Sequence, residues 1–408
     1  MTAPPPAPPP DEQVLRAVAG ALATRGGEAP TVLGAELLAA RRSRVYRLRL
    51  SGPPGTPATA ILKAVRAEPG IPYDPDEADP HGRAALLHNE WAGYAWLETL
   101  PELRGAAPRL LGGDRALGVL VLEDLGPGES LADRLLGADP AAARAGMRAY
   151  AATLGRLHAA TAGRFAEYRA LRAGLGPGDG RALPAPAGLP AELETLGRFA
   201  GGVGVPVSAG ARAEAAAVCA ALEDAGPFLA YSPSDVCPDN NRLAADGRLR
   251  LFDFEGGGFR HALLDAAYLR LALPSCWCVN RLPAGLVPRL EALYRAALVR
   301  GCPAAADDAR YESGLVDACA AWLIWSVSWQ WQETPDADRR LGPTTFRQSI
   351  LRRLRLFGAM PAARRRRPAL AALARRLGAV LRRRWREVPP MPLYPCFRPG
   401  PAPGGPRR

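Results

Sequence analysis

Residues 232–258 read SPSDVCPDNNRLAADGRLRLFDFEGGG, which sets Asp235, then Asn240 five positions later, then Asp253-Phe254 after a polar turn and a short apolar run. Asp246-Gly247 divides RLAAD from GRLRLFD and predicts a β-hairpin. A loop would carry Asp235 and Asn240 to one rim, and the second strand of the hairpin would deliver Asp253 beside them.

Those side chains suit phosphoryl transfer from a nucleoside triphosphate, a reaction governed mostly by positioning and charge stabilisation. One carboxylate takes or orients the proton of an acceptor hydroxyl. An amide oxygen and a second carboxylate suit Mg²⁺, a hard cation that prefers oxygen ligands. What remains to be supplied is a compact cation for the phosphates. The chain has a single lysine, Lys63, among many arginines. A position that keeps an ammonium where the rest of the chain uses guanidinium calls for a point charge on a flexible stem.

The neighbourhood of Lys63 reads as an antiparallel meander: TVLGAELLAA (31–40), RVYRLRL (44–50) and TAILKAV (59–65), with Lys63 on the third strand. PGIPYDPDEADP is a loop insertion, and AALLHNEWAGYAWLETL (84–100) has apolar residues at helical spacing with Glu90 in its first half. Glu90 alone would be a solvated helix face. Downstream of a strand lysine it is a partner for the ammonium.

In order along the chain these pieces resemble the aminoglycoside phosphotransferase family and its protein-kinase-like relatives. FLAYSPSDVCPDN is similar to the catalytic strand and loop, LRLFDFEGG to the metal segment, and HALLDAAYLR to the Asp-containing helix that follows. LGVLVLEDLGPGESLADRL (117–135) resembles the interlobe linker and YAATLGRLHAATAGR (150–164) the long helix ending in Leu-His-Ala. With Lys63 and Glu90 the resemblance runs from about residue 30 to 275. It implies a bilobal α+β fold, with a five-stranded antiparallel N-lobe (14–125) and a mainly helical C-lobe (126–395), between a Pro-rich leader (1–13) and a tail (396–408). It implies Asp235 as catalytic base, Asn240 and Asp253 as Mg²⁺ ligands, Lys63 as the contact to the α- and β-phosphates of ATP, and Glu90 as its ion-pair partner. Backbone groups around Glu123 to Leu125 would receive adenine, although the side chains of Glu123 and Asp124 read equally as a solvated strand end. Asp265 would tie down the catalytic loop, and His158, among apolar neighbours, would be a core residue.

The pattern departs at two places. Pro233 and Ser234 stand where the family has His and Gly before the catalytic Asp, which puts loop geometry in question more than chemistry; Pro233 fixes its own φ and biases Ser232 toward an extended conformation. No Gly-rich phosphate loop lies between the first two strands. A hydroxyl such as Ser43 with backbone N–H groups would serve, while Arg41, Arg42 and Arg44 read as an exposed turn.

The rest of the chain bounds the function. At 408 residues and 48% apolar content it has enough material for two or three cores. ACAAWLIWSVSWQW (318–331) is too short to span a bilayer and reads as a buried helix. Seven scattered cysteines point to reduced thiols in a cytoplasm, and Cys276-Trp277-Cys278 lacks a second pair for zinc. The formal charge of +12 comes from arginines concentrated after residue 339, in runs such as Arg364–Arg367 and Arg382–Arg384, and supports weak anion attraction rather than nucleic-acid recognition. Residues 165–212 look like a variable insertion. Helical patterns from 283 onward would shape the acceptor pocket, where Trp322, Trp325, Trp329 and Trp331 form a packing stripe or, on a sharper reading, a ring-stacking wall. Carboxylates for a polycation reduce to Glu312, Asp317, Glu333, Asp336 and Asp338, so the acceptor class is a small molecule with a hydroxyl. A nucleotide-binding pseudokinase is the alternative.

Overall fold

The three strand-patterned runs around Lys63 are strands: β1 (Thr31–Ala40), β2 (Ser43–Ser51) and β3 (Thr59–Val65). A computed structural model describes residues 10, 12–23, 28–40, 42–66, 71–244, 247–334 and 337–398. Helix α1 (Glu12–Ala23) precedes β1, and α2 (Arg83–Glu98), β4 (Leu110–Asp114) and β5 (Val119–Glu123) follow β3. The five strands form an antiparallel sheet in the order β1-β2-β3-β5-β4. The chain is thus an α+β protein of two compact units. One takes the described residues up to Gly128 with Arg164–Arg181 and Arg250–Gly258; the other takes Glu129–Gly163, Ala182–Leu249 and the described residues from Phe259 on.

In the first unit the strand period of two sorts the side chains. Tyr46, Leu48 and Leu50 of β2, Ala60 and Leu62 of β3, and Val119 and Val121 of β5 share one face and pack with Val18 of α1. Each large apolar side chain buried there contributes about 1.5–3 kcal/mol. Lys63 follows Leu62 by one position, so its side chain leaves the sheet on the opposite face. The sequence LLGGD of β4 explains how helices approach both faces. A Cβ on Gly112 would lie 2.8 Å from the Cβ of Ala21 in α1, and one on Gly113 would lie 2.6 Å from the Val119 carbonyl and 2.8 Å from the Trp91 ring of α2. Successive strand residues face opposite sides, which leaves α2 on the side of Lys63.

The second unit is mainly helical, with long helices at Pro140–Thr161, Leu189–Gly202, Ala209–Glu223, Leu286–Leu298, Asp308–Gln332, Phe346–Ala359 and Pro368–Arg384. Their starts follow from local chemistry. Asp139 accepts from the N–H groups of Ala141 and Ala142 with Pro140 in the first turn, and Asp307 caps the Asp308–Gln332 helix in the same way. That helix buries Trp322 and Trp331, and the Trp322 indole donates to the Leu264 carbonyl while its ring meets those of Tyr268 and Trp325. Packing accounts for these two tryptophans; Trp329 is 41% exposed. Among the described residues no helix is long and apolar enough to cross a membrane. The 165–212 stretch contributes the Phe165–Ala173 helix to the first unit and the Leu189–Gly202 helix to the second.

One expectation is corrected. Cys237 and Cys276 form a disulfide with Cα atoms 5.5 Å apart, so the seven cysteines are not all thiols. Spacing along the chain hides the pairing, because it joins two loops 39 residues apart. Cys219, Cys278, Cys302, Cys319 and Cys396 are free. The last described turn, Pro395–Phe397, buries Cys396. Most of the expected leader and tail, Arg41, Asp246 and Asp336 lie outside the described residues; the hairpin expected around Asp246 is closed by Ala244 donating to the Arg248 carbonyl.

Candidate active site

In the first unit Lys63 is held by carboxylates from three segments of chain. Its Nζ lies 2.6 Å from Glu90 Oε2, 2.5 Å from Asp253 Oδ1 and 3.6 Å from Glu255 Oε2. Lys63 and Glu90 are buried, whereas the Asp253 side chain is 36% exposed. Helix α2 organises the group. Tyr94, one turn after Glu90, donates to Glu90 Oε1 at 3.3 Å and accepts the Asp253 N–H at 3.1 Å, and its ring lies 4.6 Å from that of Phe254. Asn89 donates to the Glu255 carbonyl and accepts from the buried guanidinium of Arg172. These contacts hold Asp253 at φ +68°, a left-handed conformation that costs a non-glycine residue about 1–3 kcal/mol.

Burial opposes the charge on Lys63, but Glu90, Asp253 and Glu255 outweigh it and hold the ammonium well above its usual range. Burial also pushes the Glu90 carboxyl up to about 7 against the lowering pull of Lys63. Three carboxylates thus surround one ammonium, with Asp253 the one open to solvent. Arg42, at the turn between β1 and β2, donates to the far oxygen of Glu255 at 3.0 Å. The sequence reads this as an exposed turn, and it is one. The Arg42 side chain is 78% exposed, yet its guanidinium reaches the carboxylate cluster.

In the second unit the strand Leu229–Ser232 leads into the loop that carries Asp235 and Asn240. Asp235 is exposed while Tyr231–Ser234 and Val236–Pro238 are buried, so the loop presents this carboxylate to solvent from a packed base. Asp265, fully buried, is the anchor of that base. It accepts from Ser232 Oγ at 2.8 and 3.0 Å and from Arg260 at 2.5 Å, and it lies 3.0 Å from His158 Nε2. Burial would raise its carboxyl, but Arg260 and His158 hold it below the usual range. Arg260 also donates to the Ser234 carbonyl, Ser232 Oγ accepts the Ser234 N–H, and Tyr150 donates to the Val236 carbonyl. The loop is further tied by the Cys237–Cys276 disulfide and by the Trp277 indole donating to Asp239.

Asn240 donates its amide nitrogen to the Asp235 carbonyl at 3.1 Å, which assigns the other end of the amide as an oxygen acceptor of the kind a hard cation takes. Among the described residues no group of three or more His, Cys, Asp or Glu side chains is arranged to hold a metal ion by itself. Mg²⁺ fits such a donor set, because it keeps water and phosphate oxygens in its shell and needs only one or two protein ligands.

The structure therefore brings Lys63, Glu90 and Asp253 together in one unit and Asp235 and Asn240 together in the other. Ser43 opens β2 next to Arg42. Glu123 ends β5 and accepts from the Arg109 N–H at 3.1 Å, with Leu125 two residues beyond. Residues that the sequence reading missed are Tyr94, Asn89, Glu255, Arg260, Ser232 and Tyr150. Of these only Glu255 had a visible signal, as the third residue of Asp-Phe-Glu.

No family model and no curated protein matches the chain. Among solved structures, it is similar to the choline kinase LicA from Streptococcus pneumoniae, at 13% identity over 81% of this chain and 94% of that one, with a TM-score of 0.44. It is similar to an ethanolamine kinase from Plasmodium vivax, at 11% identity over 82% of this chain and 84% of that one, with a TM-score of 0.46. It is also similar to an aminoglycoside phosphotransferase from Alicyclobacillus acidocaldarius, at 14% identity over 92% and 98% of the two chains, with a TM-score of 0.46.

Proposed function

We propose that this chain is a small-molecule kinase that transfers the γ-phosphoryl group of ATP to a hydroxyl, with Mg²⁺. The observation that carries the reading is the single lysine of the chain, buried on β3, between the α2 carboxylate of Glu90 and the Asp253 carboxylate. A structural ion pair does not require a second carboxylate half open to solvent and held in a strained conformation.

In this reading Lys63 donates to α- and β-phosphate oxygens, and Glu90 fixes the direction of its ammonium. Asp253 and the Asn240 oxygen hold Mg²⁺, which supplies charge neutralisation at the phosphates when bound. Asp235 accepts the proton of the acceptor hydroxyl as its oxygen bonds to the γ-phosphorus and the bond to the β-phosphate oxygen breaks, leaving ADP. Ser43 and neighbouring backbone N–H groups approach the phosphates, and backbone groups between Glu123 and Leu125 take adenine.

The test is an ATP-consumption screen over pooled hydroxyl metabolites, with mass-spectrometric detection of the phosphorylated product. Once an acceptor is found, Asp235→Ala should abolish turnover and leave nucleotide binding intact. Full turnover in that variant would remove Asp235 from the chemistry. Saturable Mg-ATP binding without product across the whole panel would favour the pseudokinase.

A further inference from the structure

Between two helices of the second unit lies a fully buried guanidinium that no carboxylate neutralises among the described residues. Arg353, on the Phe346–Ala359 helix, is 1% exposed. Its Nη1 donates to Gln330 Oε1 of the Asp308–Gln332 helix at 2.6 Å, while its Nε and Nη2 meet no acceptor among the described residues. Because a guanidinium only donates, that bond orients the Gln330 amide, and the amide nitrogen is likewise without an acceptor. Ser349, buried one turn before Arg353 on the same helix face, has an unpartnered hydroxyl. The cluster therefore holds four groups able to donate and a full positive charge.

Among the described residues the other two buried arginines find more acceptors, with Arg260 Nε alone left over. Arg260 pairs with Asp265, and Arg172 donates to Asn89 and to the Gly176 and Pro177 carbonyls. Arg353 has neither arrangement. Burial lowers it to about 9, which still leaves it charged at neutral pH, and no carboxylate favours its charge. Water would satisfy single donors but would not neutralise a guanidinium out of solvent. The next residue, half-buried Arg352, has Arg355 and Arg281 as its charged neighbours, so the potential along this helix stays positive.

We infer that Arg353, Gln330 and Ser349 form a binding site for a small anionic group, a halide or a carboxylate, held by hydrogen bonds donated from all three side chains. The group is either a free ion or the acid end of a larger ligand. The site is a property of the helical unit and goes beyond the phosphotransferase reading.

Thermal unfolding of the full chain tests it, with sodium formate or chloride titrated against sodium methanesulfonate at constant ionic strength. The Tm should rise by about 1.5–2 °C per tenfold increase in formate once the site fills. Arg353→Met should show no such rise. Ser349→Ala, a mild change that serves if Arg353→Met does not fold, should move the midpoint to several-fold higher formate. Glycerate in place of formate separates the sources: stronger stabilisation identifies the acid end of a larger ligand, and equal or weaker stabilisation a free ion. A flat response of the natural chain, or an unchanged slope and midpoint in both variants, overturns the inference. So does a bromide-soaked crystal with water, and no anomalous peak, beside Arg353.

Discussion

Replacing Glu90 by Gln should change how stability depends on pH. Burial raises the folded Glu90 carboxyl to about 7 from an ordinary 4.5, so between those values the folded chain holds a proton that the unfolded chain has lost. The sign follows from linkage: a raised acid contributes stability that is full below 4.5 and is lost as pH rises through 7. That interval corresponds to about 3 kcal/mol. Glutamine imitates the protonated carboxyl and keeps an oxygen for Lys63, so it removes the dependence without emptying the position. Relative to the natural chain, Glu90→Gln should therefore gain up to about 3 kcal/mol on going from pH 4.5 to pH 8. Urea unfolding across that range measures the difference, with hydrogen exchange of β3 amides as a readout local to the sheet. Parallel pH profiles for the two proteins would refute the account of Glu90 as a buried carboxyl strained by its own charge.

Arg260→Met leaves Asp265 as a buried charge without its guanidinium and should cost about 3–5 kcal/mol in unfolding experiments, with Asp265→Asn in the same chain recovering part of the loss. Gly113→Ala drives a methyl group toward the Val119 carbonyl and the Trp91 ring; it should cost about 1–3 kcal/mol and lower turnover by displacing α2, both read from denaturation curves and initial rates.

What the sequence made legible was local. Alternating apolar residues identify β2, because a sheet with one face on a core must bury every second side chain, and β3 shows as a short apolar run after a Gly/Pro loop. Lys63 was visible because every other long basic side chain had become arginine, and Glu90 because its helix follows the lysine strand. The supports of the site were not visible. Asn89 reaches a carbonyl 166 residues away and Tyr94 an amide 159 residues away, and neither leaves a periodic trace. The Cys237–Cys276 pair was missed for the same reason, since its closeness is created by the packing of two loops.

Pro233 and Ser234 stand at the base of the Asp235 loop, where the sequence leaves its geometry open. The Pro233 carbonyl accepts the Asp235 N–H at 3.0 Å, but its side chain carries no polar atom to replace a histidine; further bracing comes from Ser232 and Arg260 acting on Asp265 and on the Ser234 carbonyl. Ser234 adopts φ +72°, the conformation a glycine would take freely, and its hydroxyl donates to the Leu183 carbonyl while Arg260 donates to the same carbonyl. A strained residue that persists must be over-determined by its surroundings. Here the surroundings include a buried carboxylate whose charge Arg260 matches, so the geometry around Asp235 depends on an ion pair where a hydrophobic or imidazole brace would have been insensitive to it. Loop position in this chain should accordingly follow the integrity of Arg260–Asp265 more closely than the identity of residue 233.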